Sequence, residues 1–108
     1  MSCNCCNYRK TRATSIVATP DGTDTILTIT VPSTVDLTSM GCVDVIIATA
    51  IPQSARCCRV SVTNGTQTLN VLKDDGNYWR PCELRCRSIL RMRLLTDPIH
   101  LLIRGVSK

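Results

Sequence analysis

The chain has 108 residues and a formal net charge of +5 at pH 7, which suits a single domain and leaves no room for two. Val, Ile and Thr account for 32 residues, against one Glu, three Lys and five Ala. Because β-branched side chains favour strands and the best helix formers are scarce, this composition excludes a helix bundle or coiled coil. Two Tyr, one Trp and no Phe weigh against stacking-based binding of sugars or single-stranded nucleic acid.

Residues 1–13 are polar and predict an N-terminal arm ahead of a folded domain over residues 14–108. The arm holds three cysteines and three cations, namely Cys3, Cys5, Cys6, Arg9, Lys10 and Arg12. It lacks the apolar run that a secretory signal needs, and no window of the sequence approaches the roughly 18 apolar residues of a membrane span. We therefore expect no membrane partner and a chain that either stays in the cytosol, where thiols are kept reduced, or is released by a route other than a signal peptide.

Short apolar or alternating runs, separated by turn signals, predict about seven strands in the rest of the chain. They cover residues 14–19, 24–31, 43–51, 57–63, 66–72, 83–95 and 99–104. The turn signals between them include Pro20-Asp21-Gly22-Thr23 and the dipeptide Asn64-Gly65, which supply the backbone conformations that tight turns require. Strands at this spacing predict an all-β fold, a single small antiparallel β-sandwich or barrel.

All of the net charge lies in residues 80–108, and an arginine row forms its centre. Read as a strand, residues 83–95 place four arginines on one face and apolar side chains on the other, whereas a helix would scatter the arginines at about 100° per residue. The row consists of Arg85, Arg87, Arg91 and Arg93. It predicts a surface for an acidic partner, and the three arm cations are candidates for the same role.

Three interpretations of the row stay open. Guanidinium groups suit phosphates, but a basic row without aromatic residues favours non-specific contact with a nucleic-acid backbone. Acidic loops of another subunit are the second candidate, either Asp21 with Asp24 or Asp74 with Asp75. A solvated face is the third. The excess of ten Arg over three Lys favours an interface, where Arg is enriched.

The eight cysteines divide into two groups. Cys58 and Cys86 alternate with apolar residues, which predicts buried core thiols. The arm cysteines have no apolar surroundings and are the best candidates for disulfides, with Cys57 next. Cys82-x-x-x-Cys86 has a spacing that structural zinc accepts, and the candidates for a disulfide or zinc site are Cys3, Cys5, Cys6, Cys82 and Cys86.

Little in the sequence supports catalysis. His100 is the single histidine, Glu83 is the single glutamate, and no phosphate-binding, dinucleotide-binding or zinc-protease motif is present. His100 alternates with apolar residues on a predicted strand, and the acidic turn at residues 74–77 lacks the glutamate of a calcium loop. We expect a protein that is not an enzyme and needs no cofactor, with a thiol-dependent enzyme as the least favoured class.

Four segments resemble the C-terminal half of small proteins from Firmicutes and their phages, which are regarded as virion or prophage structural proteins. The segments span residues 60–72, 76–77, 83–87 and 97–100. The resemblance implies a non-enzymatic virion component such as a capsid decoration protein. Such a protein self-associates and contacts a major capsid or other virion protein. The alternative is a cytosolic module that binds nucleic acid or is stapled by zinc.

Overall fold

The computed structural model describes residues 8–35, 37, 41–48, 51, 58–81, 87–96 and 99–107, with the side chains of residues 8–10 left out. These residues form eight strands. They are β1 (Tyr8–Arg12), β2 (Ser15–Asp21), β3 (Asp24–Thr30), β4 (Cys42–Ile46), β5 (Arg59–Thr63), β6 (Thr68–Leu72), β7 (Ile89–Leu95) and β8 (His100–Ser107). The predicted all-β fold is confirmed. No helix in this part of the chain has the length and hydropathy to cross a membrane.

The strands form one mixed sheet in the order β1-β4-β7-β8-β6-β5-β3-β2. Four neighbouring pairs are antiparallel, but β1 with β4, β3 with β5 and β6 with β8 are parallel. The sheet thus differs from the antiparallel arrangement expected from the sequence. Alternation marks a strand without saying which neighbour it pairs with, and parallel pairing depends on crossovers that short-range turn signals do not encode.

The two edges of the sheet meet because β1 and β2 are consecutive in the chain. Just between them, the Ala13 amide donates to the Ile46 carbonyl at 3.0 Å, and the Thr14 amide donates to the Thr30 carbonyl at 2.7 Å. The backbone therefore leaves the β4 side of the sheet and joins the β3 side within two residues. This switch curls the sheet into a half-barrel, and it makes the second half of the predicted arm part of the sheet.

The concave side of the sheet encloses one apolar core. Its fully buried side chains are Leu27, Ile29, Val31, Leu37, Val43, Val45, Ile47, Val60, Val62, Val71, Leu90, Met92 and Leu101. Each such side chain contributes about 1.5–3 kcal/mol by leaving water. Strand β4 is buried on both faces from Cys42 to Val45, a burial that a nearly continuous apolar run favours.

Asn64 organises the β5–β6 hairpin, which the sequence predicted at this position. The loop has four residues rather than two, since Thr63 pairs with Thr68. The buried Asn64 side chain accepts from the amides of Thr66 at 3.0 Å and Gln67 at 2.8 Å, and its Nδ2 donates to the Val35 carbonyl at 2.7 Å. The side-chain amide of Asn64 thus closes the loop and also binds the segment that contains Val35.

Candidate functional site: a basic face and a paired cluster

Strand β7 presents arginines outward, as the period of two predicted. Leu90 and Met92 are buried in the core, whereas Arg91 is exposed and Arg93 is half-buried. Arg91 lies in register with Asp44, and Arg93 lies in register with Cys42. The outer surface of β7 and β4 is therefore where the arginine row lies.

The row is shorter on the strand than the sequence predicted, because β7 begins at Ile89. Arg87 has a φ of 72°, its amide donates to the Ile47 carbonyl at 2.7 Å, and the Ile47 amide donates to the Ser88 carbonyl at 2.8 Å. Arg87 and Ser88 together oppose one residue, which is a β-bulge, and a bulge ends the alternation. The prediction that Arg87 lies in a continuous strand is therefore wrong, and Arg85 lies outside the described residues.

Arg87 nevertheless reaches the same surface as Arg12 of β1. Arg12, Ile46 and Ile89 lie in register across three strands. These residues line an open cleft of about 420 Å³ together with Ile47, Ala48 and Arg87. The cleft has an apolar floor between two exposed guanidinium groups. We call Arg12, Arg87, Arg91 and Arg93 the basic face.

The other arm cations lie in the same strand as Arg12. Arg9 is in register with Val43, and Lys10 is in register with Asp44. Strand β1 thus brings the backbone of all three arm cations beside β4, and of their side chains the structure describes that of Arg12. The arm and the arginine row, which lie far apart in the sequence, meet through β4.

Asp44 is the acidic residue that β4 places among these cations. It is 4 % exposed, and its Oδ1 has no hydrogen-bond partner among the described residues. Its register neighbours are Lys10 and Arg91. Among the described residues, none of the four arginines of the basic face forms an ion pair. The basic face therefore keeps a net positive charge.

A second group of charges lies where the β2–β3 loop meets the start of β5. Arg80 donates to both carboxylate oxygens of Asp24, from Nη1 at 3.0 Å and from Nη2 at 2.8 Å. Arg59 pairs with Asp21, and its Nε lies 3.7 Å from Asp24 Oδ2. The Arg59 guanidinium also lies 4.8 Å from the centre of the Tyr78 ring, a cation–π contact. We call these five residues the paired cluster.

The paired cluster lowers the pKa of the Asp24 carboxylate. The hydrogen bond from Arg80, aided by the Thr25 amide, lowers the pKa of Asp24 from 3.8 to about 2. Bidentate pairing of a carboxylate with a guanidinium favours the charged form. Asp24 is therefore ionised at every physiological pH.

The structure also tests whether acidic loops are available to meet the arginine row of another subunit. Asp21 and Asp24 are engaged with Arg59 and Arg80. Asp75 lies 3.6 Å from Lys73, and its Oδ1 accepts from the Asn77 amide at 2.9 Å. Three of the four candidate acids thus have partners within the chain, which leaves Asp74. The geometry disfavours these loops as the partners of the basic face.

The cysteines follow the predicted division in part. Cys58 keeps its thiol in the core, as predicted, and burial raises the pKa of that thiol. Cys42, which the sequence did not single out, is disulfide-bonded on a strand that is buried on both faces. The other candidates, Cys3, Cys5, Cys6, Cys57, Cys82 and Cys86, lie outside the described residues. Within the described ranges, no cluster of His, Cys, Asp and Glu could hold a metal ion, so the zinc prediction stays untested.

His100 begins β8 and is half-buried. It lines an open cleft with Lys73 and Asp74, and neither a cysteine nor a second carboxylate of the described residues joins them there. The acidic turn beside it is closed by the Lys73 amide, which donates to the Asn77 carbonyl at 2.8 Å.

Sequence reasoning missed the paired cluster and the burial of Asp44. Asp21 and Arg59 are 38 residues apart, and Asp24 and Arg80 are 56 apart, so no local pattern joins them. The one available signal was an aspartate on each side of the Gly22-Thr23 loop. Comparison with family models, curated proteins and solved structures finds no match for this chain.

Proposed function

We propose that this chain is a non-enzymatic structural protein that docks through its basic face onto an acidic surface of a larger assembly. The resemblance to phage and prophage structural proteins makes a virion the assembly we propose, with a capsid or other virion protein as the partner. The observation that carries the docking function is the contrast in pairing. The exposed arginines of the basic face lack ion-pair partners among the described residues, while Arg59 and Arg80 are engaged.

The cleft beside Arg12 and Arg87 favours a protein partner over nucleic acid. Its floor is apolar, built from Ile46, Ala48 and Ile89. An acidic protein surface offers apolar side chains beside its carboxylates, whereas a phosphate backbone offers mainly charge. Arg is suited to such a place because its guanidinium binds carboxylates bidentately and is weakly hydrated.

Binding of a model acidic polymer tests the basic face. The probe is immobilised poly-glutamate, with duplex DNA of equal charge as the comparison, each at several salt concentrations. The triple variant Arg12→Ala, Arg87→Ala, Arg91→Ala should lose at least about tenfold in affinity for poly-glutamate, since each charge-assisted contact is worth roughly 1 kcal/mol or more. The wild-type affinity should fall as salt rises.

A matched variant controls for net charge. The double variant Lys73→Ala, Arg104→Ala removes two exposed cations away from the cleft and should change the affinity less than about twofold. Its counterpart is Arg12→Ala, Arg87→Ala, which removes two cations from the cleft. Equal losses in the two double variants would show that only net charge matters and would contradict the proposal. Tighter binding of DNA than of poly-glutamate, lost in the first variant, would support the nucleic-acid alternative instead.

Native mass spectrometry separates the proposal from the zinc-stapled alternative. The proposed structural protein carries no metal, so its mass should equal that of the chain, or of a multiple of it, before and after chelation. A monomer with one bound zinc ion that unfolds on chelation would contradict the structural role.

A further inference from the structure

Strand β2 is an open edge of the sheet, with β3 as its one strand neighbour among the described residues. The two-residue loop makes Asp21 and Asp24 the pair that closes the hairpin, and such a pair exchanges both of its hydrogen bonds. Every second residue of β2 then bonds to β3. The residues between, Ile16, Ala18 and Pro20, turn their backbone groups to the open side.

Pro20 agrees with this geometry. The sequence placed it in the turn, but it lies inside β2, in register with Thr25. A proline has no amide hydrogen, so a strand tolerates it where the backbone nitrogen faces away from the neighbouring strand. The open side of β2 thus offers the amides of Ile16 and Ala18 and three carbonyl groups.

Strand β8 has a second open edge. It pairs with β7 from His100 to Ser107, but with β6 it pairs only at Leu101 and Leu102. Beyond that point β6 ends in the turn at residues 73–77, and no other described strand lies beside residues 103–107. A groove of about 420 Å³ runs along this stretch, lined by Trp79, Lys73, Asp74 and residues 102–106.

The edges of β2 and β8 each carry an exposed valine. Four large hydrophobic side chains of the described residues are exposed, and two of them are Val17 of β2, at 51 %, and Val106 of β8, at 42 %. Exposed apolar side chains on an open strand edge favour pairing with another chain. The two edges differ in position and shape, so they can be complementary within one kind of chain.

We propose that β2 of one copy adds to the open edge of β8 of a second copy, extending the sheet across the contact. Strand addition satisfies the free backbone groups of both edges and shields both valines from water. The charges are compatible, because Asp21, the one charged residue of β2, is paired with Arg59 of its own copy, so that β2 brings no unpaired charge to the groove. The contact joins two different surfaces and therefore propagates into a ring or a filament. It goes beyond the docking function, since it uses none of the residues of the basic face.

Edge variants test this contact by size-exclusion chromatography with light scattering. Ala18→Pro removes an outward amide at a position of the same parity as Pro20, and Ala18→Ser is its matched control. Val106→Lys places a charge on the β8 edge, and Ile99→Lys is its control, because Ile99 is exposed to a similar extent, 45 %, in a turn. We expect wild type and both controls to be oligomeric, and Ala18→Pro and Val106→Lys to be monomeric.

Mixing the two broken variants gives the decisive result. The Ala18→Pro copy keeps an intact β8 edge, and the Val106→Lys copy keeps an intact β2 edge, so an equimolar mixture should form a one-to-one dimer and nothing larger. Val17→Lys should behave like Ala18→Pro, and circular dichroism of each variant should show native strand content. If Ala18→Pro proves unfolded, Val17→Lys takes its place in the mixture.

Three results would overturn the proposal. A monomeric wild type would exclude it, and so would variants that remain oligomeric. Oligomers that survive in Val106→Lys alone would show β2 pairing with β2 instead. None of these results bears on poly-glutamate binding, and the triple variant of the basic face should still oligomerise, so the two proposals can fail separately.

Discussion

The basic face and the paired cluster both contain arginines, but these arginines differ in whether the chain itself supplies their ion-pair partners. In the paired cluster each arginine has a carboxylate within the chain, and these pairs tie the β2–β3 loop to β5 and to the segment before residue 81. On the basic face the exposed arginines lack such partners among the described residues, and the carboxylate nearest in register, Asp44, is buried. The first group serves the fold, while the second keeps its charge available for another molecule.

The same contrast appears in backbone strain. Arg87 of the basic face has a positive φ of 72°, where a side chain costs about 1–2 kcal/mol. In the loop of the paired cluster, the positive φ of 64° falls on Gly22, where it costs little. Backbone strain at an exposed cation favours a role for Arg87 in binding another molecule over a role in stabilising the fold.

The largest expected effect is a difference in the free energy of unfolding between two variants, each of which lacks one arginine of one region. Arg59→Ala loses two ion pairs and the contact with Tyr78, and we expect it to lower the free energy of unfolding by about 1–2 kcal/mol. Arg91→Ala should change it by less than about 0.5 kcal/mol, as exposed substitutions without partners do. Urea denaturation measures both. Equal losses would mean that the basic face also stabilises the fold.

Relieving the backbone strain at the β-bulge should have a smaller effect on the free energy of unfolding, and one of opposite sign. Arg87→Gly removes the side-chain clash of the left-handed conformation, partly offset by the greater freedom of glycine in the unfolded chain, and should raise the free energy of unfolding by about 0.5–1 kcal/mol. Arg87→Val, which is β-branched, should lower it. Thermal and urea unfolding provide the measurement. A stabilised valine variant would contradict the strained geometry.

The pH dependence of the paired cluster should be the smallest effect. Because the folded-state pKa of Asp24 is about 2, below its ordinary 3.8, its contribution to stability is present above pH 3.8 and is lost as the pH falls towards 2. In Arg80→Ala the pKa should rise towards 3.8. NMR titration of the Asp24 carboxyl carbon follows this shift directly. An unchanged pKa would mean that Arg80 does not hold the carboxylate in solution.

Local patterns predicted the parts of the fold that depend on neighbours in the sequence. The alternation around Leu90 and Arg91 placed the two faces of β7, and Asn64-Gly65 placed the β5–β6 hairpin. Both are short-range rules, one from the period of a strand and the other from the φ preferences of turn residues. They failed first at Arg87, because a bulge shifts the register without a sequence pattern of its own.

Composition and alternation predicted short β-strands, a buried thiol at Cys58 and arginines that face outward from β7. The pairing of β1 with β4, the ion pairs of Asp21 and Asp24 within the chain and the open edges of β2 and β8 become visible only in the folded structure. Alternation and turn signals relate residues that lie only a few positions apart in the sequence. Pairings such as that of Asp24 with Arg80 join residues 56 positions apart, and they form only when the sheet curls and brings its loops together.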